Sequence, residues 1–333
     1  MKIVLPGGTG LIGTMLARAF VRDGHEVTVL GRRPAPGAQW RAIVWTPTAM
    51  GPWTTELEGA DAVINLAGRS VNCRYTPRNR RQIMDSRVLS TRVVGEAIRR
   101  CRKPPRIWLQ SSTATIYAHR YDAPNDEETG ILDGPGFKAP DTWQFGVDVA
   151  KAWEKAANEI ILPDTRKVLL RTAIVLSPES GGAFDTLLRL VRYGLGGSAG
   201  NGRQFVSWIH DEDVIRAIYW LLAKGSIQGA VILAAPNPVP NEEFMRTLRE
   251  EWGVRFGIPA PLWLLEVGAR LIQTETELIL KSRRVTPGVL TGSGFTFIFP
   301  GWREAARDLC ERWRRAHAYR PSGSLRRNGS ADA

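Results

Sequence analysis

Three glycines set between an apolar strand and an amphipathic helix constrain this chain more than any other feature. Residues 3–5 read as a strand, and Gly7-Gly8-Thr9-Gly10-Leu11-Ile12-Gly13 breaks it. A helix with apolar positions Ile12, Met15, Leu16, Ala19 and Phe20 follows. This order of strand, glycine turn and helix receives the diphosphate of a dinucleotide. Gly7 permits the tight turn, Gly10 puts no side chain before the phosphates, and Gly13 lets the helix lie close on the strand. The helix start offers unpaired N–H donors and a partial positive charge. Gly7, Thr9, Gly10, Leu11, Ile12 and Gly13 are therefore the first candidate ligand contacts.

The remaining pattern agrees with a doubly wound α/β fold. Strands are expected at 2–5, 26–30, 62–66, 107–110, 168–171 and 231–233. Helices are expected at 11–23, 77–102, 142–161, 211–223 and 242–251. Strands alternating with helices imply a mostly parallel sheet of Rossmann type, with the nucleotide across the carboxyl ends of the strands. Gly24 is placed to end the first helix. The expected division is a Rossmann domain over 1–175, with later strands completing its sheet. A smaller substrate lobe covers 176–318, with two further helices and a short strand at 295–299. The Ser-, Gly- and Arg-rich stretch 319–333 lacks apolar periodicity and is expected to be disordered.

Composition narrows the functional classes. Hydrophobic residues make up 43% and charged residues 23%, as in ordinary globular domains. Cys73, Cys101 and Cys310 are far apart with no C-x-x-C, so neither a disulfide framework nor a zinc or other metal site is expected. No apolar run is long enough to span a bilayer. A chain opening on a core strand is expected to carry no signal peptide, which favours a reducing, cytoplasmic setting. The net charge of +12 comes from basic clusters scattered over several elements. No nucleic-acid recognition signature accompanies them; attraction to an anionic small-molecule substrate or cofactor explains them at least as well, and nucleic-acid binding is not expected. A homodimer is compatible with the sequence.

The second strand selects the cofactor. It ends in Leu30-Gly31-Arg32-Arg33, without the carboxylate that NAD sites place there. Two guanidiniums suit a 2′-phosphate, so NADP (NADPH) is expected over NAD. A solvated basic loop is the alternative reading of Arg32 and Arg33. Asn65-Leu66-Ala67-Gly68 ends a later strand; its small residues let the backbone at Leu66, Ala67 and Gly68 approach the cofactor, and Asn65 is either a contact or a structural residue.

These motifs resemble the extended, epimerase/dehydratase-like branch of the short-chain dehydrogenase/reductase superfamily. Ser111-Ser112-Thr113-Ala114-Thr115-Ile116-Tyr117 is similar to the segment that follows the fifth strand of sugar-nucleotide epimerases. The resemblance makes Ser111 a cofactor contact, Thr113 the catalytic hydroxyl and Tyr117 a residue beside the substrate. Ser86-Arg87, Trp153-Glu154, Leu170-Arg171-Thr172, Gly202-Arg203-Gln204, Ser207-Trp208-Ile209-His210 and the run from Thr274 to Val285 extend it to an epimerase-like subgroup with a short C-terminal domain. The resemblance implies the fold and says little about the substrate.

One departure bears on the chemistry. Active members of the superfamily carry Tyr-x-x-x-Lys on the helix after the fifth strand, the lysine lowering the tyrosine pKa. Alignment on Trp153-Glu154 puts Gly146 and Ala150 at those positions, with Lys151 about 100° around the helix. Arg87 stands where related enzymes often keep an Asn, and Thr46 where they often keep Asp. Tyr117 is then either the substitute acid/base, its pKa lowered by a cation such as Arg87, or a hydrogen-bonded core aromatic. His210 reads as structural more readily than catalytic, and Arg203 and Arg283 as solvated or substrate-facing. The leading expectation is an NADP-dependent oxidoreductase or epimerase acting on a small sugar or carbonyl compound. A silent NADP(H)-binding regulatory protein is the alternative.

Overall fold

A computed structural model describes residues 1–33, 35–132, 140–262, 265, 275 and 280–318. The tail 319–333, Thr274 and residues 276–279 of the run that follows it lie outside the described residues. The first half runs β1 (Lys2–Pro6), α1 (Leu11–Arg22), β2 (Glu26–Gly31), β3 (Arg41–Val44), β4 (Ala62–Asn65), α2 (Pro77–Arg99), β5 (Ile107–Thr113), α3 (Asp141–Asn158) and β6 (Arg166–Thr172). There follow β7 (Ile174–Leu176), α4 (Ala183–Arg192), β8 (Phe205–Val206), β9 (Trp208–His210), α5 (Asp211–Ala223), β10 (Gly229–Leu233), β11 (Val239–Pro240) and α6 (Asn241–Trp252). Two later helices are α7 (Gly288–Gly292) and α8 (Trp302–Ala318).

Seven strands form one parallel sheet in the order β10-β6-β5-β4-β1-β2-β3. Its central strands are near-continuous apolar runs because helices cover both faces. Ile3, Leu5, Leu16 and Phe20 pack with Val214 and Leu221 of α5 on one face, and Val4, Val63, Val94 and Trp108 pack on the other. The chain order reverses between β4 and β1, so the crevice where ligands sit in such sheets opens at their carboxyl ends. β10 comes from beyond residue 175 and pairs with β6 in register from Gly229–Val168 to Leu233–Thr172. Gly24 adopts φ +78° just past α1, as a helix-ending glycine does.

A second core lies between α4, α6 and α8. Phe184, Leu188, Phe244, Leu248, Trp302, Leu309 and Trp313 are buried in it, with the Phe244 and Trp302 rings stacked 4.0 Å apart. α4 was not expected from the sequence, although Phe184, Leu188 and Val191 keep the one-face spacing of a buried helix. The strand expected at 295–299 is not formed. That segment is irregular, and the N–H groups of Ile298 and Phe299 donate to the buried Asp213 carboxylate (2.8 and 2.9 Å) instead of to a strand.

Candidate active site

The glycine turn is built as its spacing requires. Gly7 has φ +73°, and its N–H donates to the Leu30 carbonyl at 2.9 Å. A Cβ there would lie 2.5 Å from Ala67 Cα, so only glycine fits both the dihedral and the close approach of the β4 turn. A Cβ on Gly13 would lie 2.4 Å from the Gly8 carbonyl oxygen. That contact seats α1 on the turn itself rather than on the strand. A Cβ on Gly10 would meet nothing within 4 Å. Gly10 is the N-cap of α1 and gives no side-chain acceptor, and the first turn holds no acidic residue. The N–H groups of Leu11, Ile12 and Gly13 thus start a helix whose positive end faces open space, a cradle suited to a diphosphate.

Two clefts meet at Thr9. One, of about 500 Å³, is lined by Thr9, Arg32, Arg33 and Ala35. The other, of about 320 Å³, is lined by Thr9, Gly10, Leu11, Arg18, Glu179 and Gly182, among others. An exposed Arg18–Glu179 ion pair at 2.6 Å spans it. Arg32 and Arg33 are exposed and pair with no carboxylate among the described residues. A third and larger cleft, about 890 Å³, lies at the opposite rim, lined by Asp61, Arg106 and Arg166 near the amino ends of β4–β6. Parallel sheets bind ligands at the carboxyl ends, so the smaller clefts at the glycine turn carry the site.

Asn65 is buried, accepts from the Ala67 N–H (3.1 Å) and donates to Gln110 (2.8 Å). It shapes the Leu66-Ala67-Gly68 turn and so takes the structural side of its two readings. Ser111 lies on the last turn of β5 before Thr113, opposite Leu170.

At the end of β5, Thr113 is half-buried. Its Oγ1 accepts from the Thr115 N–H and shares a hydrogen bond with the Thr115 hydroxyl, both at 3.2 Å. Arg283 Nε donates to the Thr115 hydroxyl oxygen (3.2 Å) and the buried Lys281 Nζ to its carbonyl (2.8 Å). His119 accepts the Ser282 N–H on Nδ1 at 2.7 Å. Burial and the neighbouring Lys281 and Arg283 hold its pKa below the ordinary imidazole value. Sequence reasoning raised Arg283 as substrate-facing but missed Lys281 and His119; only the fold joins residues 160 positions apart.

Tyr117 is buried, with 2% exposure, and its hydroxyl accepts from Arg171 Nη1 at 2.7 Å. Arg171 grips Glu154 through Nε and Nη2 (2.9 and 2.8 Å), and Ser112 donates to Glu154 at 2.6 Å. The cation beside Tyr117 is therefore Arg171, not Arg87 as the sequence suggested. Burial outweighs it and pushes the Tyr117 phenol up to about 12, opposite to the expected lowering. Arg171 itself works against burial, but Glu154 and Tyr117 hold its pKa above the usual value. On α3, Ala150 is buried against this cluster, whereas Lys151 is exposed on the outer side.

His210 is fully buried. Nδ1 accepts the Glu212 N–H (3.2 Å), capping α5, and Nε2 meets Asp308 at 3.0 Å, with Phe299 stacked on the ring at 3.9 Å. It joins α5 to α8 away from Thr113. Arg203 is exposed, its N–H donating to Asn201. Among the described residues no cluster of His, Cys, Asp and Glu is placed to hold a metal ion, and no helix is long and apolar enough to cross a membrane.

Sheet, glycine turn and second lobe together define an α/β protein of the short-chain dehydrogenase/reductase type. The chain belongs to the NAD dependent epimerase/dehydratase family, whose model matches residues 3–234; residues 260–309 match a domain of unknown function, DUF1731. Epimerase family protein SDR39U1 from Homo sapiens is 31% identical over 314 residues, covering 93% of this chain and 99% of that one. Epimerase family protein YfhF from Bacillus subtilis (strain 168) is 29% identical over 301 residues, covering 90% and 94%. The crystal structure of the human protein (isoform 2) with NADPH matches at a TM-score of 0.79 and 29% identity, covering 93% and 99% of the two chains.

Proposed function

We propose that the chain binds NADP(H) and acts as an oxidoreductase or epimerase-like enzyme on a small carbonyl or sugar compound. One observation carries the cofactor reading. Open space at Gly10, before a helix start without acidic residues, adjoins two exposed guanidiniums that no described carboxylate neutralises. The first suits a diphosphate and the second a 2′-phosphate. NADPH in the human relative's structure supports the same choice.

Bound there, a nicotinamide supplies two-electron exchange with a substrate carbon. The protein's part is placement. Thr113 offers its hydroxyl at the end of β5, and Thr115 and Arg283 fix the direction in which that hydroxyl points. Lys281 and Arg283 beside Thr115 favour a substrate with an anionic group. Tyr117 holds its proton too firmly to exchange it near neutral pH; in this reading it braces the β5 loop against Arg171. Three unpaired cysteines suit a reducing cytoplasmic setting.

Calorimetry at low ionic strength tests the cofactor: NADPH binds, NADH binds at least tenfold more weakly, and Arg32→Ala/Arg33→Ala removes the difference. No affinity for NADPH refutes the reading. NADPH oxidation over a panel of ketones and nucleotide sugars tests turnover, which Thr113→Val abolishes and Tyr117→Phe leaves within about threefold. The retained Tyr117 proton, with Gly146 and Ala150 at the dyad positions, favours a second reading: a binding protein that senses the cofactor's redox state. Tight NADPH binding without turnover of any panel member selects it.

A further inference from the structure

Away from the glycine turn, six of the fifteen large apolar side chains exposed among the described residues fall in two short segments. Leu190, Tyr193 and Leu195 lie at the end of α4 and in the turn after it; Phe256, Ile258 and Leu262 follow α6. The two segments are plied together. The Ile258 N–H donates to the Gly194 carbonyl (2.8 Å), the Gly200 N–H to the Ala260 carbonyl and the Ala260 N–H to the Ser198 carbonyl (both 2.9 Å). A Cβ on Gly194 would lie 3.0 Å from the Phe256 ring, and one on Gly200 3.6 Å from Leu262. The six side chains therefore share one ridge, unlike apolar residues scattered singly over a surface. Tyr193 and Phe256 are its most exposed members, at 80% and 68%. A contiguous apolar patch of this kind marks a surface that meets a partner.

Charge says which partner. Residues 186–200 and 252–262 contain no Asp or Glu but hold Arg189, Arg192 and Arg255, all exposed. Arg189 pairs with Asp185, whereas Arg192 and Arg255 pair with no carboxylate among the described residues. Arg192 lies over the Trp313 ring instead, 4.6 Å from its centroid. A second copy of the chain is a poor cover, because a two-fold contact through the ridge sets these guanidiniums against one another. An anionic bilayer suits both parts of the surface. Tyrosine, phenylalanine and leucine side chains enter the headgroup boundary, and arginines beside them meet lipid phosphates. Side chains this exposed stand proud of the surface, as insertion among headgroups requires. We infer that this ridge docks the protein on the surface of an anionic membrane without spanning it. A Cβ on Gly200 would also lie 3.2 Å from Leu280, whose neighbour Lys281 reaches Thr115, so the docked face adjoins the wall beside Thr113.

Co-sedimentation of the full chain with vesicles tests this, on phosphatidylcholine alone and on phosphatidylcholine mixed with phosphatidylglycerol. The protein binds the mixed vesicles, and binds phosphatidylcholine alone about tenfold more weakly. Tyr193→Ser/Phe256→Ser lowers affinity for the mixed vesicles about tenfold, and Arg192→Gln/Arg255→Gln does the same. Ile161→Ser, at an equally exposed residue on the opposite rim, leaves it unchanged. Should the arginine pair melt early through loss of the Arg192 stacking on Trp313, Arg255→Gln alone replaces it, with about a threefold loss expected and none refuting the charge argument. No binding to the mixed vesicles overturns the inference. So does equal binding to both vesicle types. Binding that salt abolishes but Tyr193→Ser/Phe256→Ser leaves intact also overturns it, as adsorption through the net charge of +12. A dimer in light scattering that Tyr193→Ser/Phe256→Ser dissolves, without vesicle binding, assigns the ridge to a second copy instead. None of these variants changes NADPH affinity, so the cofactor reading stands or falls separately.

Discussion

Replacing Arg171 by Met tests the buried network behind the β5 loop. The pair it breaks is 8% and 10% exposed, bidentate, and tied to Ser112 and Tyr117. Methionine keeps the apolar stem but leaves the Glu154 carboxylate with Ser112 alone and the Tyr117 hydroxyl without its donor. Stranding one member of a buried pair costs about 3–5 kcal/mol. The Ser112 bond keeps the loss near the lower end, about 3 kcal/mol. Most of it is the penalty of an uncompensated charge, so Glu154→Leu on top of Arg171→Met restores stability instead of lowering it further. The cycle of two single variants and the double variant then gives a coupling of about 2–3 kcal/mol. Urea denaturation followed by circular dichroism, with the slope fitted for each variant, measures it. A loss below about 1 kcal/mol for Arg171→Met, or a double variant no more stable than the sum of the singles predicts, refutes the reasoning.

Gly10→Ala enters open space without a clash and costs only the N-cap preference of glycine over alanine, about 1 kcal/mol, yet lowers NADPH affinity more than tenfold by titration. Gly13→Ala forces a Cβ to 2.4 Å from the Gly8 carbonyl and costs about 1–3 kcal/mol or more in denaturation. Burial lowers the His210 pKa below its unfolded value of about 6.5, so above that pH neither state takes up the proton. As pH falls below about 6.5 the unfolded chain binds it first and stability drops; His210→Asn, which keeps an N-cap, flattens that part of a melting-temperature profile, leaving the contribution of His119. Burial pushes the Cys310 thiol up to about 12, so at pH 8 a disulfide reagent labels Cys73 in the native protein and Cys310 only on unfolding, as peptide mass spectrometry reads directly.

The sheet was legible where the chain is most regular. β1, β2, β4, β5 and β6 are apolar runs punctuated by glycine or a helix start, and a strand buried on both faces leaves that trace. β3 was not expected: it is four residues long, and its ends Arg41 and Val44 are exposed at the sheet edge. The alternation Phe295, Phe297, Phe299 reads as a strand, but Phe295 packs on Trp220, Phe297 on Phe295 and Phe299 on His210, while Asp213 takes the backbone donors. In the site, glycine spacing could be read because each glycine answers a local steric demand. The partner of Tyr117 could not. Arg171 and Glu154 sit on β6 and α3, and only the crossover between β5 and β6 aligns them. Period and spacing describe neighbours along one element; they carry no record of which side chain arrives from another.

The segment Lys281–Val285 gives this its sharpest form. Its backbone and side chains are stitched to His119, Asn125, Phe205 and Ser207, and through Lys281 and Arg283 to Thr115. The wall beside Thr113 is thus made from residues synthesised well after the last strand of the main sheet. A nascent chain of 250 residues already owns every strand of the main sheet, yet lacks the segment that packs beside Thr113. Any competence of the glycine turn to capture a nucleotide during synthesis precedes, by several seconds at ordinary elongation rates, the moment at which the surroundings of Thr113 are complete.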